Sequence, residues 1–235
     1  MALLDGLVAL IAPPRCAVCA APGGRAGEIL CAACRRALPW LGAQCCPRCA
    51  LPLPHGRGGR CPAAGAAFDA AWAAVAYEGA AREALLALKF AAARPLAGVI
   101  AAQIAANAPP ELLEQPATTL VAVPAHPRRR RARGFDPAEL IATALARRSG
   151  LPLVRALRRG RGASRQLGAS RAARRDAAGL DFRARAGAPP ARVVLVDDVH
   201  TTGATLHACA AALRHAGCRQ ITVITWARTL DDRPR

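Results

Sequence analysis

Two adjacent carboxylates follow the most apolar short run of the chain. Asp197 and Asp198 come directly after residues 193–196, whose sequence Val-Val-Leu-Val predicts a strand buried on both faces. Carboxylates in such a place are costly unless they bind something. They can accept hydrogen bonds from a sugar diol or help to hold hydrated Mg²⁺. We therefore predict that both are catalytic or ligand-binding residues.

The segment after this strand has the residue types of a phosphate cradle. It turns into a predicted helix, whose free backbone N–H groups and dipole favour an anion, and its glycine allows close backbone approach. Diol acceptors beside such a cradle suit a ribose 5-phosphate. A capped strand–turn–helix junction would explain the threonines but not the paired aspartates. The predicted ligand-binding residues here are Thr201, Thr202, Gly203, Ala204 and Thr205.

Eight of the ten cysteines precede residue 62 and form an internal repeat of 30 residues. Two Cys-x2-Cys pairs separated by 11 residues can enclose a tetrahedral structural Zn²⁺. The second unit has Ala64 in place of the fourth cysteine. Either Cys45 or His55 could supply that ligand, or the second site is weak or lost. Reduced structural thiols are the other interpretation. The predicted zinc ligands are Cys16, Cys19, Cys31, Cys34, Cys46, Cys49 and Cys61.

The positive charge of the chain is concentrated in one stretch. Residues 128–192 hold 18 arginines and four carboxylates, and the net charge of the whole chain is +18. Such a field favours a polyanion or a phosphorylated ligand. Because 32 of the 33 basic residues are arginine, an arginine-rich composition is the other explanation. Lys89 is the single lysine, which hints at a need for a compact ammonium group.

Strands and helices alternate after residue 66. We predict strands at 68–77, 118–123, 152–157, 192–197 and 220–227, and helices at 80–90, 95–107, 136–148 and 202–215. This order predicts an α/β fold with a mostly parallel, open, doubly wound sheet. Residues 1–65 form a small cysteine-rich module with an N-terminal helix, and residues 66–235 form the larger domain.

Two local predictions concern the segment between the second strand and the third. Residues 126–135, His-Pro followed by an arginine run, are predicted to form a basic loop. Asp136 then caps a helix, with Pro137 at its first position and the Glu139 side chain reaching back to the start of the helix.

The chain has no uninterrupted apolar stretch of about 18 residues, so we predict no membrane span. Residues 1–14 are apolar but have no basic leader and contain Asp5, which favours a docking helix over a signal peptide. We therefore expect a cytoplasmic protein, whose cysteines bind metal rather than form disulfides.

The Asp-Asp-to-Thr205 segment resembles the signature of type I phosphoribosyltransferases, and the whole chain resembles the ComF-type competence protein family. The resemblance rests on the cysteine repeat, on residues 77–90 and 123–135, and on Gln166, Arg174 and Phe182. It implies an N-terminal zinc ribbon, a fold of type I phosphoribosyltransferase type, and phosphoribosyl pyrophosphate with Mg²⁺ as ligand. It also implies a role in natural transformation, in which single-stranded DNA and a competence helicase are the partners.

The resemblance leaves the reaction open. Besides a competence accessory protein, the chain could be an active phosphoribosyltransferase on an unidentified base or amide acceptor, or a zinc-ribbon adaptor with a ligand-sensing domain. The family usually has Asn-Gln where this chain has Asp136-Pro137, and the common Asn and Leu are replaced by Ala177 and Ala169.

A phosphoribosyl pyrophosphate ligand needs cations at its diphosphate and a means of excluding water. The basic loop follows a neighbouring strand, and residues 164–175 could close over the site as a flap. The predicted contacts are Lys89, Arg133 and the Arg128–Arg131 run, and in the flap Arg165, Gln166, Arg171 and Arg174.

Overall fold

A parallel sheet of four strands, in the order β1-β6-β5-β2, positions the rest of the molecule. The computed structural model describes residues 15–22, 28–55, 59–160, 180–187 and 189–230. The strands of the sheet are β1 (Ala70–Ala76), β2 (Thr118–Ala122), β5 (Arg192–His200) and β6 (Gln220–Arg228). A separate antiparallel pair consists of β3 (Leu157–Arg159) and β4 (Phe182–Ala184). The predicted α/β fold with a mostly parallel sheet is confirmed.

The central strand β5 is buried on both faces, as its apolar run predicts. Its residues Val193, Val194, Leu195 and Val196 are at most 2% exposed. It pairs with β2 on one side and β6 on the other. Pairing with β6 continues to His200, so the strand is longer than predicted and carries Asp197 and Asp198 within it.

Helices cover both faces of the sheet. The helices are α1 (Ala32–Arg36), α2 (Gly79–Phe90), α3 (Leu96–Asn107), α4 (Pro110–Leu113), α5 (Pro127–Arg133), α6 (Pro137–Ser149) and α7 (Ala204–His215). Buried residues of α2, α3 and α6 pack against Val194, Val196 and Trp226 of the sheet. Buried residues of α7 pack on the other face, against Val193 and Leu195. Successive residues of β5 therefore lie on opposite faces of the sheet and belong to two separate cores.

The cysteine repeat is also a structural repeat. The Cys16 N–H donates to the Ala21 carbonyl at 2.8 Å, and thirty residues later the Cys46 N–H donates to the Leu51 carbonyl at the same distance. Ala20 occupies the left-handed region in the first unit, and the equivalent Ala50 does so in the second. The first unit packs with the core that contains α2 and α3, and the second with the core that contains α7. The two ribbons therefore contact opposite faces of the sheet.

The arginine run is helical, which differs from the predicted loop. Pro127 opens α5, the His126 side chain accepts a hydrogen bond from the Arg128 N–H, and Gly134 ends the helix in the left-handed conformation. These local caps stabilise a turn that has no buried residue of its own. Because the segment has no apolar periodicity, its sequence did not predict a helix.

The start of α6 follows the prediction in part. The Asp136 carboxylate accepts from the Ala138 N–H at 3.1 Å and from the Ala125 N–H at 2.7 Å, so it caps the helix and holds the preceding loop. The Glu139 carboxylate does not reach back. It pairs with Arg155 instead, whose Nε lies 2.7 Å from Oε1.

The predicted strand at 152–157 is displaced. Leu153 makes an isolated parallel bridge with Leu120, and the regular strand β3 begins only at Leu157 and pairs with β4. The predicted N-terminal helix at 1–14 and the flap at 164–175 lie outside the described residues. Within the described ranges, none of the helices combines the length and apolar character that crossing a bilayer requires.

Candidate functional site

Asp197 and Asp198 lie near the carboxyl end of β5. In α/β proteins, ligands bind at the carboxyl ends of the parallel strands. The Asp198 carboxylate is buried and forms an ion pair with Lys89, whose Nζ lies 2.7 Å from Oδ2. Oδ1 of Asp197 accepts a hydrogen bond from the Asp198 N–H at 2.8 Å. The single lysine of the chain thus reaches the predicted carboxylate pair from the last turn of α2.

The two carboxylates influence one another. Burial raises the pKa of the Asp197 carboxyl well above its usual range, and the negative charge of Asp198 raises it further. The Asp198 N–H and the Lys89 ammonium oppose this rise. Donors from a diol or a divalent cation would relieve the repulsion, because they favour the charged form. The pair therefore has the chemistry of a site for hydroxyl donors or Mg²⁺.

The segment 201–205, named here the phosphate loop, joins β5 to α7. Gly203 is the N-cap of α7 and has a φ of +81°, in the left-handed region. A Cβ at this position would lie 2.9 Å from Nε2 of His200, so the loop packs directly on that imidazole. The first N–H groups of α7 have no partner within the helix. Together with the positive end of the helix dipole, they are suited to an anion.

His200 supports the phosphate loop from below and has the properties of a neutral, structural residue. It is 2% exposed, and its ring meets the Phe68 ring edge-on with centroids 6.1 Å apart. Burial and the nearby Arg228 charge lower the pKa of His200 to about 3. The imidazole is therefore uncharged at neutral pH and is not a general acid there.

Arg133 lies at the same end of α2 as Lys89. Its guanidinium is 4.8 Å from the centroid of the Phe90 ring, and Phe90 follows Lys89 directly. A second pair of this kind places Arg94 at 4.9 Å from the ring centroid of Phe135. Phe90 is 70% exposed, so Arg133 leaves most of its ring open. The predicted contacts Arg165, Gln166 and Arg174 lie outside the described residues.

A cavity of about 320 Å³ lies beside the end of β2 and is lined by many arginines. Its two carboxylates are already engaged, because Asp136 caps α6 and Glu139 pairs with Arg155. The cavity thus has an excess of positive charge, which favours phosphate groups. Its arginines are Arg130, Arg131, Arg155, Arg158, Arg159 and Arg185. The last four were not among the residues predicted from the sequence, because they come from separate strands and loops.

The first cysteine cluster has the dimensions of a structural zinc site. The sulfurs of Cys16, Cys19, Cys31 and Cys34 all lie within 4.8 Å of one another. Sγ of Cys19 and Sγ of Cys31 are 3.7 Å apart. A tetrahedral ion with bonds of about 2.3 Å requires sulfur separations of about 3.8 Å, so the four residues fit Zn²⁺.

The second cluster consists of Cys46, Cys49, His55 and Cys61. Sγ of Cys46 and Sγ of Cys61 are 3.8 Å apart, and Nε2 of His55 lies 3.3 Å from Sγ of Cys49. The structure thus selects His55 rather than Cys45 as the fourth ligand in place of Ala64. This set also fits Zn²⁺, and four ligands in each cluster is the number that a closed structural site has.

In each cluster, backbone N–H donors lower the pKa of one thiol. Burial raises the pKa of Cys16, but hydrogen bonds from the N–H groups of Cys31, Cys19 and Val18 outweigh it and lower the pKa to about 6. In the second cluster burial is again outweighed by backbone N–H donors, and the pKa of Cys46 falls to about 7. Deprotonated thiols are the form that binds metal, so the backbone N–H donors favour the metal-binding form of the cluster thiols.

Two protein families match the sequence. A double zinc ribbon domain matches residues 7–65, and a phosphoribosyl transferase domain matches residues 132–235. This is the domain architecture of ComF-type proteins. The predicted resemblance to ComF-type proteins is therefore confirmed at the level of architecture. No curated protein matches the chain.

The two matched domains cover the two cysteine clusters and the carboxylate site respectively. The double zinc ribbon match covers all the residues of the two metal clusters. The phosphoribosyl transferase match covers the Asp197–Asp198 pair, the phosphate loop and α7. Lys89 lies before the matched region, and its ion pair with Asp198 brings it to the site.

Proposed function

We propose that this chain is a ComF-like competence accessory protein that binds phosphoribosyl pyrophosphate with Mg²⁺ and assists the uptake of single-stranded DNA in the cytoplasm. The observation that carries the proposal is the Asp197–Asp198 pair, which lies at the carboxyl end of β5 directly before the phosphate loop and is joined by Lys89. In this proposal residues 1–65 are the zinc module and residues 66–235 form the ligand-binding domain.

Each element of the site has a role in holding such a ligand. The carboxylates accept hydrogen bonds from the ribose diol, and the N–H groups at the start of α7 hold the 5-phosphate. Thr201, Thr202 and Thr205 add hydroxyl donors, while Gly203 and Ala204 keep the backbone accessible. Lys89 and Arg133 supply positive charge for the diphosphate, together with Arg165, Gln166 and Arg174. Bound Mg²⁺ would neutralise the diphosphate and stabilise it as a leaving group.

Two surface features support the proposed contact with single-stranded DNA. The arginine-lined cavity offers guanidinium groups for backbone phosphates, whose contribution to affinity falls with salt. The open face of Phe90 offers a platform on which a base can stack, and Arg133 covers its other side. A phosphate channel with a stacking residue is the usual arrangement for binding a strand without sequence preference. The zinc module would contact the strand or a competence helicase.

A titration with phosphoribosyl pyrophosphate and Mg²⁺, with and without a single-stranded oligonucleotide, tests this proposal. We expect saturable binding of the sugar phosphate and binding of the oligonucleotide that weakens steeply between about 50 and 200 mM salt. Oligonucleotide binding that does not depend on salt, or none at low salt, would contradict the DNA-uptake role. No binding of phosphoribosyl pyrophosphate would contradict the ligand.

A second candidate is an active phosphoribosyltransferase. It is favoured by a cavity of about 1040 Å³ that is lined by residues of the phosphate loop and by Phe68, Phe182 and the outer face of α7. Such a space is large enough for a base or amide acceptor. Release of pyrophosphate in the presence of candidate acceptors, abolished by Asp197→Asn with Asp198→Asn, would support transfer. Binding without pyrophosphate release from any acceptor would favour the accessory role.

A further inference from the structure

The buried side chain of Arg228 joins the second zinc cluster to the phosphate loop. Arg228 is the last residue of β6 and is 3% exposed. Its Nε donates to the carbonyl oxygen of Cys49 at 2.9 Å. Its Nη1 lies within hydrogen-bonding distance of the carbonyl oxygens of Thr201 at 2.6 Å, of Thr229 at 2.8 Å and of His200 at 3.0 Å. One planar group therefore holds the backbone of a metal ligand and the backbone at the start of the phosphate loop.

A chain of packed rings connects the same two places. Phe68 belongs to the same core cluster as Cys46 and Cys49, and it contacts the His200 ring edge-on. The backbone of Gly203 in turn packs directly against the His200 ring. A shift of the backbone that carries Cys46 and Cys49 would therefore also shift the phosphate loop, through side-chain packing as well as through hydrogen bonds.

The structure assigns to Arg228 the role of a positioning residue: metal binding in the second zinc cluster fixes the conformation of the phosphate loop through this guanidinium. The inference rests on the proposed function only for the identity of the ligand that the loop holds. A guanidinium presents its donors in a rigid fork, so the Cys49 and Thr201 carbonyls are held at a fixed separation. Zinc ligation fixes Cys49, and the fork transmits that constraint to Thr201.

The connection has a reciprocal consequence. If zinc in the second cluster strengthens ligand binding by some factor, the ligand must strengthen zinc binding by the same factor. We expect a factor of about ten, within the usual range of about 5- to 150-fold for coupled sites. The described hydrogen bonds of Arg228 reach the second cluster and none reaches the first, so the first cluster provides an internal comparison.

The first experiment compares two matched cysteine variants. Cys61→Ser removes a ligand from the second cluster, and Cys19→Ser removes one from the first. We expect Cys61→Ser to speed amide hydrogen exchange in residues 201–205 and to weaken binding of phosphoribosyl pyrophosphate about tenfold. Cys19→Ser should leave both quantities near the wild-type values. Equal effects of the two variants on loop exchange would overturn the proposal.

The second experiment changes the connecting residue itself and leaves all zinc ligands intact. Arg228→Met keeps much of the side-chain volume but loses the donors, and the matched control is Arg214→Met. Arg214 also holds backbone carbonyls, those of Ala67 and Arg219, but none of its described hydrogen bonds reaches a metal ligand or the phosphate loop. Arg228→Met should lose zinc from the second cluster to a chelator about tenfold more readily than wild type, whereas Arg214→Met should not.

The two proposals fail in different ways. If wild type does not bind phosphoribosyl pyrophosphate, the proposed function fails, and loop exchange and zinc competition still decide the connection. If Arg228→Met retains zinc as wild type does, and Cys61→Ser leaves loop exchange unchanged, Arg228 does not couple the two sites. Partial restoration of zinc retention by Arg228→Lys would support the role of the donated hydrogen bonds.

Discussion

At the scale of single residues, burial determines whether His200 is charged and whether the Asp198 carboxylate needs an ion-pair partner. His200 is neutral because its pKa is lowered to about 3, whereas the same residue in an unfolded chain titrates near its ordinary value of about 6.5. Asp198 is buried but has Lys89 as a partner. These states are properties of the surroundings, and each can be tested by one substitution.

The buried imidazole predicts a loss of stability in acid. Between pH 6.5 and 3 the unfolded state binds a proton at His200 that the folded state does not, so stability falls as pH falls through this window. We expect wild type to lose about 2 kcal/mol more than His200→Leu between pH 7 and pH 5. Urea unfolding at both pH values measures the difference, and the comparison cancels the other titrating groups. An equal loss in both proteins would contradict a neutral His200.

Phe90 is expected to stack with bases of single-stranded DNA. Phe90→Ala should weaken binding of an oligothymidine by about 1–3 kcal/mol, because the base loses its aromatic contact. The same variant should bind an abasic strand as wild type does. The abasic strand is the control, because it keeps the backbone phosphates but has no base to stack. Equal losses for the two strands, measured by fluorescence anisotropy, would contradict stacking.

At the scale of elements, the strand–loop–helix unit of β5, the phosphate loop and α7 makes the site. Four apolar residues carry the strand through the centre of the sheet, and the strand delivers two carboxylates at its end. Gly203 permits the turn into α7 because its φ is positive and because no side chain fits above His200. The geometry of the loop is therefore set by the strand below it.

The glycine of this unit can be tested against a second glycine. Gly203→Ala and Gly150→Ala both force alanine into the left-handed region, at a cost of about 1 kcal/mol. Only Gly203→Ala also places a Cβ against His200, since nothing lies within 4 Å at Gly150. We expect an additional destabilisation of about 1–3 kcal/mol for Gly203→Ala, together with weaker ligand binding. Urea unfolding that gives equal values for the two variants would argue against the close contact.

Elements with a clear hydrophobic pattern were predictable, and those held by local caps or tertiary contacts were not. The sequence pattern of β5 required burial on both faces, and the strand has it. Helix α5 has no buried residue, so nothing in its pattern indicated a helix. The choice of His55 over Cys45 depends on which side chain turns towards the cluster, and chain spacing does not determine that.

The missed residue of the site shows the same limit. Arg228 follows a run of apolar residues and looks in sequence like the polar end of a strand. Its burial results from two backbone segments that meet it only in the folded chain, one at Cys49 and the other at His200 and Thr201. Asp197 and Asp198, in contrast, were identifiable because paired carboxylates after a buried strand are unfavourable without a partner.

At the scale of the whole molecule, the two zinc clusters support opposite faces of one sheet. The first contributes Cys16 and Cys34 to one core, and the second contributes Cys46 and Cys49 to the other. Because the cysteine-rich module is too small to bury a large core of its own, we expect metal binding to contribute to its folding free energy. Residues of the two cysteine clusters and residues of the sheet therefore share the two cores.

Zinc stoichiometry tests the assignment of the ligands. We expect about two zinc ions per wild-type chain and about one in either Cys16→Ser or Cys61→Ser, because a closed site needs four ligands. Cys45→Ser is the matched control and should retain both ions, since Cys45 belongs to neither cluster. Atomic emission on the purified protein measures the ratio. Loss of an ion from Cys45→Ser, or two ions in Cys61→Ser, would refute the second cluster.

The most direct test of the central proposal is a calorimetric titration of wild type and of Asp197→Asn with Asp198→Asn, using phosphoribosyl pyrophosphate and Mg²⁺. Asp69→Asn is the control for charge removal, because Asp69 pairs with Arg214 away from the site. We predict saturable binding by wild type and by Asp69→Asn, and none by the double variant, which should remain folded. Binding by the double variant at wild-type affinity would contradict the site.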